Sequence, residues 1–355
     1  MATQGYEREV VVLAGKRTGF GTFGGSLKDL SATDLGVFSS TAAIEAAGIT
    51  PDQVDHTFFG NALQTSADAI YLARHIALRS GIPDEKPALT INRLCGSGFE
   101  AVVQGAKEII LGEADVALTG GTESMSQAPH VVRGARWGGL RLGPASGQFE
   151  DLLWGALTDT NCGLSMAQTA EELAERYGVT RSEVDEVAFH SQQRAKAAWD
   201  DGRFDIEVTG VGLRTRKGET TYRADEHIRP DTTVEGLSAL RPYFKDDGLV
   251  TAGNASGMGD GSATAILASA EWAEANGIKP LGRIISWGFV GVEPQVMGIG
   301  PAPASRLALD KAGLSLEDMD LVEINEAFAA QYKSVEKELG LDPEKTNVNG
   351  GAIAL

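Results

Sequence analysis

The sequence predicts an α/β protein built from two related halves with a segment inserted into the first. Three observations carry this. Strand-like apolar runs alternate with helical stretches that close on glycine, as a layered α/β core requires. The pattern of residues 47–60 returns at 312–325. Between residues 127 and 248 the alternation gives way to aromatic, glycine-rich and charged stretches.

The elements follow in order. Residues 9–14 read as a strand, 17–27 as a glycine-rich loop, and 33–47 as a helix stopped by Gly48. A strand at 54–60 and a helix at 67–80 follow. Next come a β-type run ending at Cys95, a helix to about Leu111, and a strand at 116–119 closing on Gly120-Gly121-Thr122-Glu123-Ser124-Met125. The insertion holds helices near 166–177 and 181–201 and a charged strand pair at 208–215 and 219–223. Gly257-Met258-Gly259-Asp260-Gly261 reads as a turn entering a helix at 262–268. The expected organisation is therefore a first half at 1–126, an inserted loop domain at 127–248, a return to the first half at 249–270 and a second half at 271–355.

The repeat is specific. Ala47-Gly48-Ile49-Thr50-Pro51-Asp52-Gln53-Val54 and Ala312-Gly313-Leu314-Ser315-Leu316-Glu317-Asp318-Met319 both read as helix end, glycine cap, acidic turn and strand entry. Leu89-Thr90-Ile91-Asn92 corresponds to Thr346-Asn347-Val348-Asn349. Each half is then expected to build one sheet of a paired core. Gly350-Gly351-Ala352-Ile353-Ala354-Leu355 takes the place of Leu94–Gly98, so the second half is expected to be incomplete at Leu355.

Composition narrows the function. The net charge of −18 argues against nucleic-acid or anionic-membrane binding, while leaving room for an anionic small ligand in a local basic pocket. Two cysteines are too few for a disulfide framework, and the five histidines show no metal-ligand spacing. No apolar run approaches a membrane span, and the polar start shows no signal or Arg-rich transit segment, so a cytoplasmic protein is expected.

Cys95 carries the chemistry. It sits in Asn92-Arg93-Leu94-Cys95-Gly96-Ser97-Gly98, where a strand gives way to a helix. Free N–H groups and the positive helix end favour thiolate there, the nucleophilic form. On this segment alone a buried structural cysteine stays open as the alternative. The G-x-G-x-x-G match at Gly19–Gly24 lacks the strand–turn–helix context of a dinucleotide fingerprint and is set aside.

Together with Gly120-Gly121-Thr122-Glu123-Ser124-Met125-Ser126, Thr251-Ala252-Gly253-Asn254-Ala255-Ser256-Gly257, Asn325-Glu326-Ala327-Phe328-Ala329 and Asn347-Val348-Asn349-Gly350-Gly351-Ala352, this segment resembles the thiolase family over essentially the whole chain. The nearest likeness is to mitochondrial-type 3-ketoacyl-CoA thiolases, through Met297-Gly298-Ile299-Gly300-Pro301. The resemblance implies an αβαβα layered, duplicated core and acyl transfer between CoA thioesters through Cys95. CoA and acyl-CoA are then substrates, no cofactor is permanently bound, and the chain forms a homodimer or homotetramer. It implies that Asn325 holds a water at the developing enolate. It places Arg229 and Thr232 at the nucleotide end of CoA and Ser256 with Ala252 along the pantetheine. Met166, Phe244, Met297 and Phe328 would line the channel.

Three departures bear on this. The family's Gly-His-Pro segment and its later cysteine, which handle protons, are not in the sequence, so a chain as given is expected to be impaired or to act only as a CoA-binding relative. Cys162, in Asn161-Cys162-Gly163, is no substitute, and neither His130 nor His190 is assigned as a base. Ser165 stands where biosynthetic thiolases carry histidine, which favours a degradative or broad chain-length enzyme over one specific for acetoacetyl-CoA.

Overall fold

The computed structural model describes residues 7–138, 149–216 and 218–355; the polar N-terminal residues 1–6 and Gly139 of the inserted loop lie outside the described residues. One mixed sheet organises the chain. Its main strands are β1 (Val10–Thr18), β2 (His56–Gly60), β3 (Ala88–Ile91), β4 (Val116–Ser124), β5 (Val208–Thr209), β6 (Gly259–Ser269) and β7 (Gly282–Ile284). The order across the sheet is β5-β1-β6-β4-β2-β3, with β7 also on β1 and Gly21–Thr22 on β6. β6 runs antiparallel to both β1 and β4, whereas β4, β2 and β3 run parallel.

The sheet is buried on both faces, and the period of two along each strand shows it. Val11, Leu13, Val116, Leu118, Ile266 and Ala268 meet the helices α1 (Ala32–Ala47) and α2 (Leu72–Arg79). Their neighbours Val10, Ala117 and Leu267 pack with Ala106 and Ile109 of α3 (Ser97–Leu111) on the other side. A third layer follows from α4 (Met166–Tyr177), α5 (Arg181–Asp200), α6 (Pro301–Ala312) and α7 (Ala329–Leu339). Ala167, Ala170 and Ala174 of α4 bury against Val184 and Ala188 of α5 and Ala329 and Ala330 of α7.

The helix limits have local causes. Ser31 and Asp34 form a capping box before α1, Ser165 and Gln168 do so before α4, and Thr180 and Glu183 before α5. The repeat is visible in the backbone. α1 ends on Gly48 (φ 69°) and α6 on Gly313 (φ 67°), both in the left-handed region that glycine tolerates. Each is followed by a capped 3₁₀ turn, Pro51–Gln53 after Thr50 and Leu316–Asp318 after Ser315.

Three expectations are corrected. Residues 262–268 are not a helix but the middle of β6, because Ser262, Thr264 and Ile266 alternate with Ala263, Ala265 and Leu267 between two antiparallel neighbours. The expected helix at 67–80 is a 3₁₀ turn, Ala69–Tyr71, running into the shorter α2. Among the described residues the second half builds no sheet of its own. Val322 bridges Thr346 once, and β7 joins β1 of the first sheet instead.

Candidate active site

The parallel strands set the position of Cys95, the candidate nucleophile. β3 ends at Ile91, and the chain turns through Asn92 to Cys95 before α3 begins at Ser97. Asn92 Oδ1 accepts from the Leu94 N–H (2.9 Å), which holds Leu94 in a left-handed conformation (φ 48°). The Ser97 hydroxyl accepts from the Arg93 N–H (2.8 Å) and donates to the Leu94 carbonyl (2.5 Å). The turn is thus closed from both sides, and it presents Cys95 as an exposed free thiol.

Glycines let α3 sit this close. A Cβ on Gly60 at the end of β2 would lie 2.5 Å from the Ser97 carbonyl carbon, and one on Gly121 would lie 3.4 Å from the Gly98 Cα. Arg93 leads away from the turn. Its guanidinium bonds Glu100 (2.6 Å) and stacks over Phe289 of the second half (4.6 Å).

The thiol's electrostatics run against expectation. Desolvation by its surroundings pushes the Cys95 thiol up, outweighing its own backbone N–H, and the Glu123 carboxylate pushes it further. The helix end alone does not hold a thiolate here. Glu123 is itself pushed up to about 7 by burial, although it accepts from the Ala62 and Leu63 N–H groups.

The other motifs reach the same end of the sheet. Gly261 of β6 pairs with Glu123 of β4, so the loop entering β6 lies beside the strand end near Cys95. In that loop Ser256 bonds the Ala327 carbonyl through both its N–H (3.0 Å) and its hydroxyl (2.9 Å). Ala255 bridges Phe328, and Ala329 N–H donates to the Asn254 carbonyl (2.8 Å). Asn325 is exposed just before this contact, and Ala252 is exposed on the partner loop.

The apolar candidates divide. Phe244 and Phe328 pack on one cluster with Ala255 and the alanines of α4. Met166 is half-buried at the first turn of α4, and Met297 is exposed on the turn preceding Gly298, which packs against Leu173 and Gln331. Arg229 is exposed, its N–H fixed by Gln192 Oε1 (2.6 Å), and Thr232 donates its hydroxyl to the Arg229 carbonyl (2.8 Å). Cys162 lies apart on its own turn, its thiol against the Asp159 carbonyl (3.9 Å).

Sequence reasoning missed the carboxylates that fasten these loops. Glu171 of α4 accepts from the N–H groups of Leu249 (2.9 Å) and Val250 (2.8 Å). Asp185 of α5 holds Asn254 Nδ2 (3.0 Å). Glu326 is buried and accepts from Ser191 Oγ (2.6 Å) and Asn347 Nδ2 (2.9 Å), joining the two second-half motifs. Burial pushes Glu326 up, and its charge helps push Glu323 to about 7. The available signal was a single charged or amide side chain inside a motif of small residues. Among the described residues no group of His, Cys, Asp and Glu could hold a metal, and no helix is long and apolar enough to cross a membrane.

Comparison with known proteins follows the same lines. The family descriptions "Thiolase, N-terminal domain" and "Thiolase, C-terminal domain" match residues 10–271 and 278–355. The human protein named 3-ketoacyl-CoA thiolase, mitochondrial, is 56% identical over 98% of this chain and 87% of its own length. Beta-ketothiolase BktB of Cupriavidus necator is 47% identical over 98% of this chain and 88% of its own. The crystal structure of the human mitochondrial 3-ketoacyl-CoA thiolase in complex with CoA matches with a TM-score of 0.95 at 54% identity, covering 100% of this chain and 88% of that one. The expected cytoplasmic location is overturned by these names, since the human relative and other mammalian relatives are designated mitochondrial. The missing Arg-rich start was an absence, not a signal, and it carried no weight against them.

Proposed function

The chain belongs to the thiolase family, and from that premise we propose that it is an acyltransferase that cleaves 3-ketoacyl-CoA with a second CoA, in the manner of fatty-acid β-oxidation. The observation that carries this is the exposed Cys95 thiol on a doubly braced turn at the head of α3. Its sulfur attacks the 3-keto carbonyl. The bond between the α and β carbons breaks, its electron pair passes to the departing acetyl-CoA as an enolate, the proton given up by the thiol ends on that enolate carbon, and the shortened acyl group stays on sulfur. The thiol of a second CoA then takes the acyl group and restores Cys95. The enolate oxygen needs donors set in advance, and the exposed Asn325 beside the Ser256–Ala327 contact is suited to hold a water there.

CoA enters as substrate and leaves as product. Arg229 supplies an exposed guanidinium for its phosphates, with Thr232 beside it. Ser256 and Ala252 flank the pantetheine, and Met166, Phe244, Met297 and Phe328 face the acyl arm. The segment inserted between β4 and β6, which carries Arg229, is the CoA-holding part of the first half. Ser165 is spent on capping α4 rather than on a polar ring at the acyl pocket, which supports broad chain length.

A homodimer or homotetramer fits the sheet. β3 is an edge strand, and Leu89, Leu94 and Phe99 beside it are exposed at 49%, 51% and 73%.

The test is mass spectrometry of the protein after incubation with a medium-chain 3-ketoacyl-CoA. Acyl mass on the Cys95 peptide, lost in Cys95→Ala, with acetyl-CoA in solution, is the expected result. Acyl label that survives in Cys95→Ala overturns the assignment.

A further inference from the structure

Glu123 is a carboxylate with an unusual set of partners. Its oxygens accept from the Ala62 N–H, the Leu63 N–H (3.2 Å) and Asn61 Nδ2 (3.0 Å), and among the described residues it forms no ion pair. The loop it gathers is the one that touches the nucleophile's turn. Asn92 Nδ2 donates to the Ala62 carbonyl (3.2 Å), and Asn92 Oδ1 accepts from Leu94, the residue before Cys95. Asn61 N–H also donates to the Ile91 carbonyl (3.0 Å), tying the same loop to the end of β3. A continuous path therefore runs from Glu123 through residues 61–63 and Asn92 to the Cys95 turn. The charge of Glu123 is also felt at the thiol itself.

We propose that Glu123 is a positioning residue for the Cys95 nucleophile: it fixes the 61–63 loop that holds Asn92, and with it the turn that presents the thiol. This rests on Cys95 being the nucleophile. The neighbouring charged groups are already engaged. Glu100 pairs with Arg93, Asp260 accepts from Ser126, and Asp68 accepts from Ser66 with His75 beside it. The charge of Glu123 reaches the thiol from outside its own turn.

The test is the rate of Cys95 alkylation by iodoacetamide against pH, followed on the Cys95 peptide in the full chain. It needs no turnover, so it reads Glu123 even if Cys95 proves not to carry acyl groups. Glu123→Gln removes a like charge and is expected to lower the midpoint of the profile. Asn92→Ala, on the exposed surface, breaks the path without removing charge. It is expected to leave that midpoint in place and to lower kcat about tenfold with little change in KM. The double variant should lose less kcat than the product of the two single losses, since both cut one path. A midpoint unmoved in a Glu123→Gln protein that still melts cooperatively, or kcat losses that multiply in the double variant, overturns the proposal.

Discussion

Ser256 is joined to Ala327 twice, through its backbone N–H at 3.0 Å and its hydroxyl at 2.9 Å, both on one carbonyl oxygen. This pair joins the loop leading into β6 to the loop leading into α7. Behind it, Asp185 holds Asn254 on one side and Glu326 holds Asn347 on the other. Two motifs distant in sequence are thereby fixed at one end of the sheet, where Cys95 also stands.

Ser256→Ala removes one of the two bonds and leaves the other. A neutral hydrogen bond of this kind contributes about 1 kcal/mol. The expected outcome is a loss of that size in urea unfolding. KM for CoA should rise only severalfold, because the hydroxyl proton is already committed to Ala327. Unchanged stability with a large rise in KM would show that the hydroxyl serves the ligand instead.

Gly60→Ala tests the seating of α3. The new methyl would lie 2.5 Å from the carbonyl carbon of Ser97 and 2.7 Å from its Cβ, and backbone cannot step aside as a flexible side chain can. Overpacking of this kind costs about 1–3 kcal/mol. A shift of the Cys95 turn should lower kcat as well. Gly98→Ala is the control, since nothing lies within 4 Å of its Cβ and its φ is not positive. Thermal melting and kcat of the two variants should differ sharply.

How far the sequence could be read depended on whether the cause was local. The capping boxes of α1, α4 and α5 lie within four residues, and those helices were found within a residue or so of their observed limits. β6 was not, because its Gly-Ser-Ala-Thr-Ala run is mostly small residues, with Thr264 alone carrying the β-branched bulk that marks a strand. It needs small residues: Gly120 lies opposite it, and a Cβ there would meet the Ala263 carbonyl at 2.5 Å. At the site, the Cys95 turn and the loops that reach the same end of the sheet were legible as contiguous text. Glu171 was not, since the N–H groups it serves lie 78 and 79 residues on. The raised thiol of Cys95 was missed for the same reason. The helix end is adjacent in sequence, but the groups that desolvate the thiol, and Glu123, come from elsewhere in the chain.

Glu323 and Glu326 make stability depend on pH. Desolvation raises both, and the Glu326 charge adds to the rise at Glu323, which reaches about 7. A carboxyl raised in the folded state holds its proton where the unfolded chain has lost it. Stability from this source is therefore highest at low pH and falls as pH rises toward about 7. Salt-bridged carboxylates such as Glu183, lowered to about 2 beside Lys337, act in the opposite direction. The comparison must therefore be between parent and Glu323→Gln. The variant should gain stability relative to the parent as pH goes from about 5 to about 8 in urea unfolding. A difference that does not change with pH would remove the coupling.

Arg229 separates binding from folding. Its backbone is held on both sides, the N–H by Gln192 Oε1 at 2.6 Å and the carbonyl by the Thr232 hydroxyl at 2.8 Å, while the side chain is exposed. Nothing in the core depends on the guanidinium, so Arg229→Ala should melt as the parent does. If that guanidinium meets the phosphates of CoA, its loss removes charge-assisted hydrogen bonds and should weaken CoA about tenfold, or about 1.4 kcal/mol. Arg229→Lys should restore part of this, because a point charge replaces the fork. Calorimetric titration of CoA into the three proteins decides it. Equal affinities would move the phosphate site away from the 225–232 segment altogether.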